Sequence, residues 1–300
     1  MKIIVLSIFV SVFCVKSIYP LHMDELVMPQ ESIDFVNQSQ DLWTASSSWV
    51  GEMTIAEAMQ YTHTQIKPST FKEYDWGLIL NFLTIPQGFD SRNQWPKCIH
   101  PIQSQGKCSS SWAFAASEVL SDLFCIASKG STNIVLSAQY IISCDYMNDG
   151  CTGGYADLAW EFMANGVPTS SCIPYYGQTT YCPSTCSNGL EMTLYYPSMM
   201  YTYIGQTAIQ AAILMNGPVQ STFMVYQDFM SYSGGIYTHV TGAYLGNLSV
   251  KIIGWGSQNG FNYWICANSL GSSWGLNGFF FIAFGQCGID SQAISGVPQI

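Results

Sequence analysis

Gln105-Gly106-Lys107-Cys108-Ser109-Ser110-Ser111-Trp112-Ala113-Phe114 is the stretch on which the fold turns. From its aromatic residue onward Trp112, Ala115, Ala116, Val119, Leu123 and Ile126 recur at helical spacing, which predicts a helix over residues 112–126. The serines ahead of Trp112 are expected to cap that helix, because a hydroxyl there accepts from the free amides of a first turn. Residues 155–165 read as a second helix stopped by Gly166, and residues 207–216 as a third stopped by Gly217-Pro218. Farther on the period changes. Residues 250–254, 263–267 and 278–284 are short aromatic and β-branched runs separated by Gly, Asn and Ser, the pattern of strands. Helices first and strands after predict an α+β chain, and no internal repeat is visible.

The chain opens on Lys2, an apolar run over residues 3–15, and Lys16-Ser17, the pattern of a secretory signal peptide. That run falls short of the roughly 20 residues a membrane span needs, and no later run is long enough. Eleven cysteines in 300 residues fit an oxidising compartment, where disulfides persist. The expected location is the secretory pathway, with a lysosome-like vesicle or the cell exterior as the end point. Cys182 and Cys186 have a ligand-like spacing, yet no cysteine or histidine pair completes a zinc site, so neither metal nor cofactor is expected. Only 9% of residues are charged and the net charge is −10, which argues against a nucleic-acid partner, since phosphates demand basic patches. A monomer without a membrane span is the expected state.

Three downstream runs follow in order: Val250-Lys251-Ile252-Ile253-Gly254-Trp255-Gly256, Tyr263-Trp264-Ile265-Cys266-Ala267-Asn268-Ser269, and Ser273-Trp274-Gly275-Leu276-Asn277-Gly278-Phe279-Phe280. Phe89-Asp90-Ser91-Arg92-Asn93-Gln94-Trp95-Pro96-Lys97-Cys98 precedes the central stretch, and Gly234-Gly235-Ile236-Tyr237-Thr238-His239-Val240-Thr241-Gly242 lies between. Cys108-Ser109-Ser110-Ser111-Trp112 keeps the first cysteine and the aromatic of the thiol-protease signature C-G-[SA]-C-[WY]. Together these runs resemble the papain family of cysteine proteases, and within it the cathepsin B branch, over residues 85–300.

The resemblance implies a papain-like two-lobed fold, with a helical N-terminal lobe and a β-rich C-terminal lobe flanking a cleft. It divides the chain into a signal peptide (1–17), a polar, turn-rich prosegment (18–84) and a peptidase domain (85–300), with maturation near Thr84-Ile85-Pro86. In the family such a prosegment runs through the cleft and blocks it. The resemblance also implies disulfides Cys98–Cys125, Cys108–Cys151, Cys144–Cys182 and Cys172–Cys186, while Cys14 leaves with the signal peptide. Cys266 and Cys287 remain, read first as inert buried thiols and alternatively as a fifth bridge.

A thiol protease needs a thiolate, which the family obtains by setting cysteine at a helix N-terminus beside an imidazolium. Here Ser111 stands at the nucleophile's place, and a hydroxyl attacks only when a base takes its proton. That base belongs 130–150 residues downstream, where Gly246-Asn247-Leu248-Ser249 aligns with a family Gly-Gly-His-Ala. Leu248, 137 positions after Ser111 (248 − 111), takes the histidine's place and cannot accept a proton. Asn268 matches the orienting asparagine but has no imidazole to orient, and Leu270 replaces its shielding tryptophan. Gln105 matches the oxyanion-hole glutamine, with support of the Cys108 loop as the alternative role.

Gly153 and Gly154 match the wall along which a substrate backbone pairs. Asn247 replaces a glycine of the opposite wall and is expected to narrow the groove. Gln292 replaces an acidic residue at the base of the second specificity pocket, which implies an apolar preference. No histidine lies between Cys172 and Cys186, so the family's occluding loop and its carboxydipeptidase behaviour are not expected. A glycan on the sequon Asn247-Leu248-Ser249 would fall in the cleft and is not expected either.

The functional expectation is a pseudoprotease that binds peptides, protein substrates, protease inhibitors or its own prosegment in the cleft without cutting them. One alternative is a peptidase that uses Ser111 with His239 or Asp290 as substitute base. Another is a scaffold whose groove is idle.

Overall fold

The predicted central helix forms at Ser111–Ala127, and every residue from Ser111 to Cys125 is buried, so the chain has to cover it on all sides. The structure, a computed structural model, describes residues 22–300; the expected signal peptide lies outside the described residues. One flank is helical. Ala138–Cys144 and Ala156–Met163 bring Ile141, Ile142, Ala159 and Trp160 against Val119, Leu120 and Phe124 of the central helix, forming the smaller of two cores.

The expected serine cap is absent. Ser110 occupies the cap position without a capping side-chain bond; its Oγ donates to the Cys108 carbonyl (3.3 Å) and shares a hydrogen with the Tyr175 hydroxyl (3.3 Å). Buried partners on that side draw the hydroxyl away from the helix amides.

The other flank is a sheet. Its strands, with one small pair elsewhere, are β1 Trp43–Ala45, β2 Thr64–Gln65, β3 Phe89–Asp90, β4 Gly154–Tyr155, β5 Pro197–Tyr203, β6 Val219–Tyr226, β7 Tyr232–Tyr237, β8 Tyr244–Gln258, β9 Phe261–Ala267, β10 Phe279–Ala283 and β11 Ala293–Pro298. Among the described residues nine of them join in the order β1-β7-β10-β9-β8-β6-β11-β5, with β3 attached to β8, while β2 and β4 pair separately. The third predicted helix appears at Gln206–Asn216 beside this sheet. β8 starts well before the predicted residue 250, because β6 pairs with it from Val219↔Ile252 down to Tyr226↔Tyr244. Gly246-Asn247 interrupts the apolar pattern there and hides the strand in the sequence. Phe223, Leu248, Val250, Trp264 and Phe280 belong to the larger core under the sheet.

Residues 22–84 have more structure than their polar, turn-rich sequence suggests. Helix Gln30–Ser39 buries Ile33 and Val36, and helix Ile55–Met59 starts with a reciprocal Thr54/Glu57 capping box. β1 lies antiparallel on β7, and the buried Trp43 ring donates from Nε1 to the Thr238 carbonyl (2.9 Å).

All four implied disulfides form: Cys98–Cys125, Cys108–Cys151, Cys144–Cys182 and Cys172–Cys186. Cys266 and Cys287 stand outside them. Burial pushes the Cys266 thiol well up, which makes it inert. Cys287 is only half-buried, because it sits in the surface turn Gln286–Gly288.

A charged cluster crosses the seam between the helix and the sheet. Lys251 of β8 places Nζ 2.7 Å from Asp122 Oδ2 and 3.8 Å from Glu118 Oε2, and His100 Nδ1 lies 2.6 Å from Asp122 Oδ1. Burial pulls the Lys251 ammonium down, but Asp122 and Glu118 more than offset that, so its pKa stands above the ordinary value. Glu118 behaves oppositely: burial pushes its carboxyl from the ordinary 4.5 up to about 7 despite Lys251. The folded state therefore holds an extra proton between these two values, so stability is full below about 4.5 and falls as pH rises towards about 7. The upper bound of this loss is about 3 kcal/mol. Glu118→Gln is expected to flatten the pH dependence of urea unfolding over that range, Lys251 keeping its closer partner Asp122; an unaltered slope would place the dependence elsewhere.

Candidate functional site

The cleft opens where the N-terminus of the central helix meets β8, and a strand of the chain's own N-terminal segment fills it. Ser111, fully buried, has Oγ 2.7 Å from Thr64 Oγ1 and accepts a hydrogen bond from the Ser249 backbone amide at 3.2 Å. Leu248, one residue earlier on β8, turns into the larger core together with Leu270. Asn268 is buried as well. Its Oδ1 accepts from the Ser269 amide at 2.8 Å, and its Nδ2 has no hydrogen-bond partner among the described residues. An unpaired buried amide of this kind costs about 1–3 kcal/mol.

Gln105 braces the Cys108 loop and also reaches the N-terminal segment. Nε2 donates to the Cys108 carbonyl at 2.9 Å and to the Tyr61 carbonyl of the N-terminal segment at 3.2 Å, while Oε1 accepts from Ser269 Oγ at 2.7 Å. The glutamine side chain thus links the Cys108 loop, Ser269 and the N-terminal segment.

The two walls grip residues 62–65 between them. On one wall β2 pairs parallel with β4, Thr64 opposite Gly154 and Gln65 opposite Tyr155. Gly153 has φ 129°, and a Cβ there would drive into the His63 carbonyl, so glycine is required both by the backbone and by the close approach. Gly154 is crowded instead by Asn148 and the Trp112 ring. On the other wall Asn247 donates from its backbone amide to the Thr62 carbonyl (2.6 Å) and from Nδ2 to the Thr64 carbonyl (2.8 Å), while its Oδ1 accepts from the Tyr244 hydroxyl (2.8 Å). Asn247, expected to narrow the groove, grips the strand within it, because its side-chain amide offers a donor to the passing carbonyl.

Gln292 holds the same segment farther along. Its Oε1 accepts from the Ser69 amide at 2.8 Å and its Nε2 donates to the Lys67 carbonyl at 3.4 Å, so it holds main chain. It borders a cavity of about 300 Å³ that residues 65–68 share with Asp157, Gln220, Thr222 and Ile294. Sequence reasoning missed Thr64, Lys67 and Asp157. An acid two residues past Tyr155 reads as a first-turn partner of a helix dipole, which masks its position in the cavity wall.

The proposed substitute bases are engaged elsewhere. His239 Nδ1 lies 3.1 Å from both oxygens of Asp228, and its ring stacks on Tyr226 at 3.9 Å. Asp290 accepts from Trp264 Nε1 at 3.3 Å and from the Gly285 amide at 2.9 Å. Neither hydrogen-bonds Ser111 among the described residues, and the His63 side chain is exposed. Among the described residues no group of three metal-ligating side chains converges, and no helix is long and apolar enough to cross a membrane.

A helical lobe and a sheet lobe meeting at a buried helix, with a cleft at that helix's N-terminus, define a papain-type proteinase fold. Residues 85–297 match the family described as papain family cysteine protease, and the chain belongs to that family. It is 38% identical to cathepsin B-like cysteine proteinase 4 of Caenorhabditis elegans, over 90% of this chain and 93% of that one. It is 33% identical to a gut-specific cysteine proteinase of the same nematode, over 92% of each chain. Among solved structures, procathepsin B S9 from Trypanosoma congolense superposes with a TM-score of 0.87 at 30% identity, covering 92% of this chain and 99% of that one. Digestive procathepsin L2 from Tenebrio molitor larval midgut gives 0.75 at 27% identity, covering 90% and 88%. The chain is thus a cathepsin B-like homologue, similar over nearly its whole length to proteinases solved as proforms.

Gly153→Ala is expected to push residues 62–65 out of register, since neither the backbone angle nor the His63 carbonyl leaves room for a methyl group. Hydrogen exchange resolved to single amides should show Thr64 and Gln65 losing protection while the central helix keeps it; retained protection would mean that the strand does not depend on this wall.

Proposed function

We propose that this chain is a non-hydrolysing cathepsin B-like homologue whose cleft holds extended peptide or inhibitor segments, and whose own residues 18–84 act as a prosegment seated there ahead of a peptidase-fold domain at 85–300. The observation that carries the reading is Leu248, fully buried in the core at the position a general base would occupy. Without a base Ser111 keeps its proton, which it shares with Thr64 in a neutral hydroxyl pair. Gln105 still directs an N–H at a carbonyl in the cleft, and such residual oxyanion stabilisation is worth about 10³–10⁴ over water in serine-protease knockouts, far below a working enzyme.

Binding needs none of the missing groups. Gly153, Gly154, Asn247 and Gln292 hold a backbone through hydrogen bonds and shape, and these contacts are indifferent to the loss of a nucleophile. The four disulfides and the cathepsin-like family support a secretory or lysosomal route.

Native full-length protein and its Ser111→Ala variant are expected to show the same background rate on a fluorogenic peptide at mildly acidic pH. The Ser111→Cys/Leu248→His variant is expected to gain at least about 10³-fold. Native turnover abolished by Ser111→Ala would overturn the reading, whether or not the double variant folds.

A further inference from the structure

The cavity beside the cleft contains a charge that has no role in the site described so far. Asp157 is 4% exposed, yet its Oδ2 accepts no hydrogen bond among the described residues. The cation facing it is Lys67, whose Nζ stands 3.2 Å from that oxygen and 4.6 Å from the centroid of the Tyr155 ring. One ammonium therefore meets a carboxylate and an aromatic face together, a pairing that suits lysine or arginine and no neutral side chain. The other lining residues, Gln220, Thr222 and Gln292 among them, carry no charge.

A buried carboxylate is costly unless a cation or several donors face it. With residues 62–69 lifted out, Asp157 would be left in an otherwise neutral cavity without its partner. Gln292, whose partners at Lys67 and Ser69 leave with that segment, is a neutral amide and cannot supply the missing positive charge. The charge that reads the pocket's occupant therefore resides on Asp157 and not on Gln292.

We propose that this pocket selects a basic side chain through Asp157 and Tyr155, and that Lys67 is its built-in occupant. A peptide or inhibitor segment that displaces the N-terminal strand would present lysine or arginine at the same place. This rests on the reading of the cleft as a peptide-holding groove, and it replaces the apolar preference inferred from Gln292 alone.

The test uses full-length protein and hydrogen exchange of the amides at residues 62–69. Lys67→Arg is expected to keep their protection, whereas Lys67→Met and Asp157→Asn each lose about fivefold, the scale of one partly buried ion pair with a cation–π contact. The Lys67→Met/Asp157→Asn double variant should lose no more than either single one. Undiminished protection in Lys67→Met, or losses that simply multiply, would overturn the proposal. A fluorescent peptide carrying one lysine, compared with its norleucine twin on the Lys67→Met protein, separates this inference from the cleft reading. Equal binding of the two overturns basic selection and leaves peptide holding intact; the expected exchange pattern with neither peptide bound supports basic selection and sinks peptide holding.

Discussion

A helix buried on every side has to be covered by two layers, and that constraint organises this molecule. Ser111–Ala127 offers apolar side chains to helices on one flank and to the β6, β8 and β11 strands on the other. Two layers meeting over one helix leave a seam, and the seam reaches the surface at the helix N-terminus. The cleft is therefore a consequence of covering the helix, and it persists whatever residue stands at position 111. The Lys251–Asp122–Glu118 cluster ties the sheet to the helix farther along the same seam.

The absence of charge at the start of the central helix bears on how the cleft is covered. A thiolate beside an imidazolium is a charge pair that loses solvent when any segment covers it. Here a neutral hydroxyl pair lies at the helix start, so residues 62–65 cover it without desolvating an ion. The buried Nδ2 of Asn268 has no hydrogen-bond partner among the described residues and is a local cost.

Much of this was legible in the residues. The central helix, the helices ending before Gly166 and Gly217, and the aromatic strands announced themselves by period and punctuation, while the significance of Ser111 and Leu248 rests on the family resemblance. The features that stayed hidden depend on partners distant in the chain. Asn247 meets Thr64 across 183 residues and Gln292 meets Ser69 across 223, separations at which local pattern carries no signal. Leu245 and Leu248 belong to a strand that Gly246-Asn247 disguises, and Ser110 looks like a cap until Tyr175 and the Cys108 carbonyl claim its hydroxyl. Lys67 and Asp157 are each ordinary in sequence; only the fold makes them neighbours.

β1 has a consequence for the whole sheet. It is three residues long and belongs to the N-terminal segment, yet it covers one side of β7, whose other side is taken by β10. The Ile236 amide donates to the Leu42 carbonyl at 2.8 Å, and Gly235 admits the neighbouring backbone only because it lacks a side chain. A chain shorn of residues 22–84 would carry β7 as a bare edge, its amides and carbonyls open to any extended strand, including β7 of a second copy. The first 60 or so described residues thus cover a sheet border whose unpaired amides and carbonyls would otherwise be open.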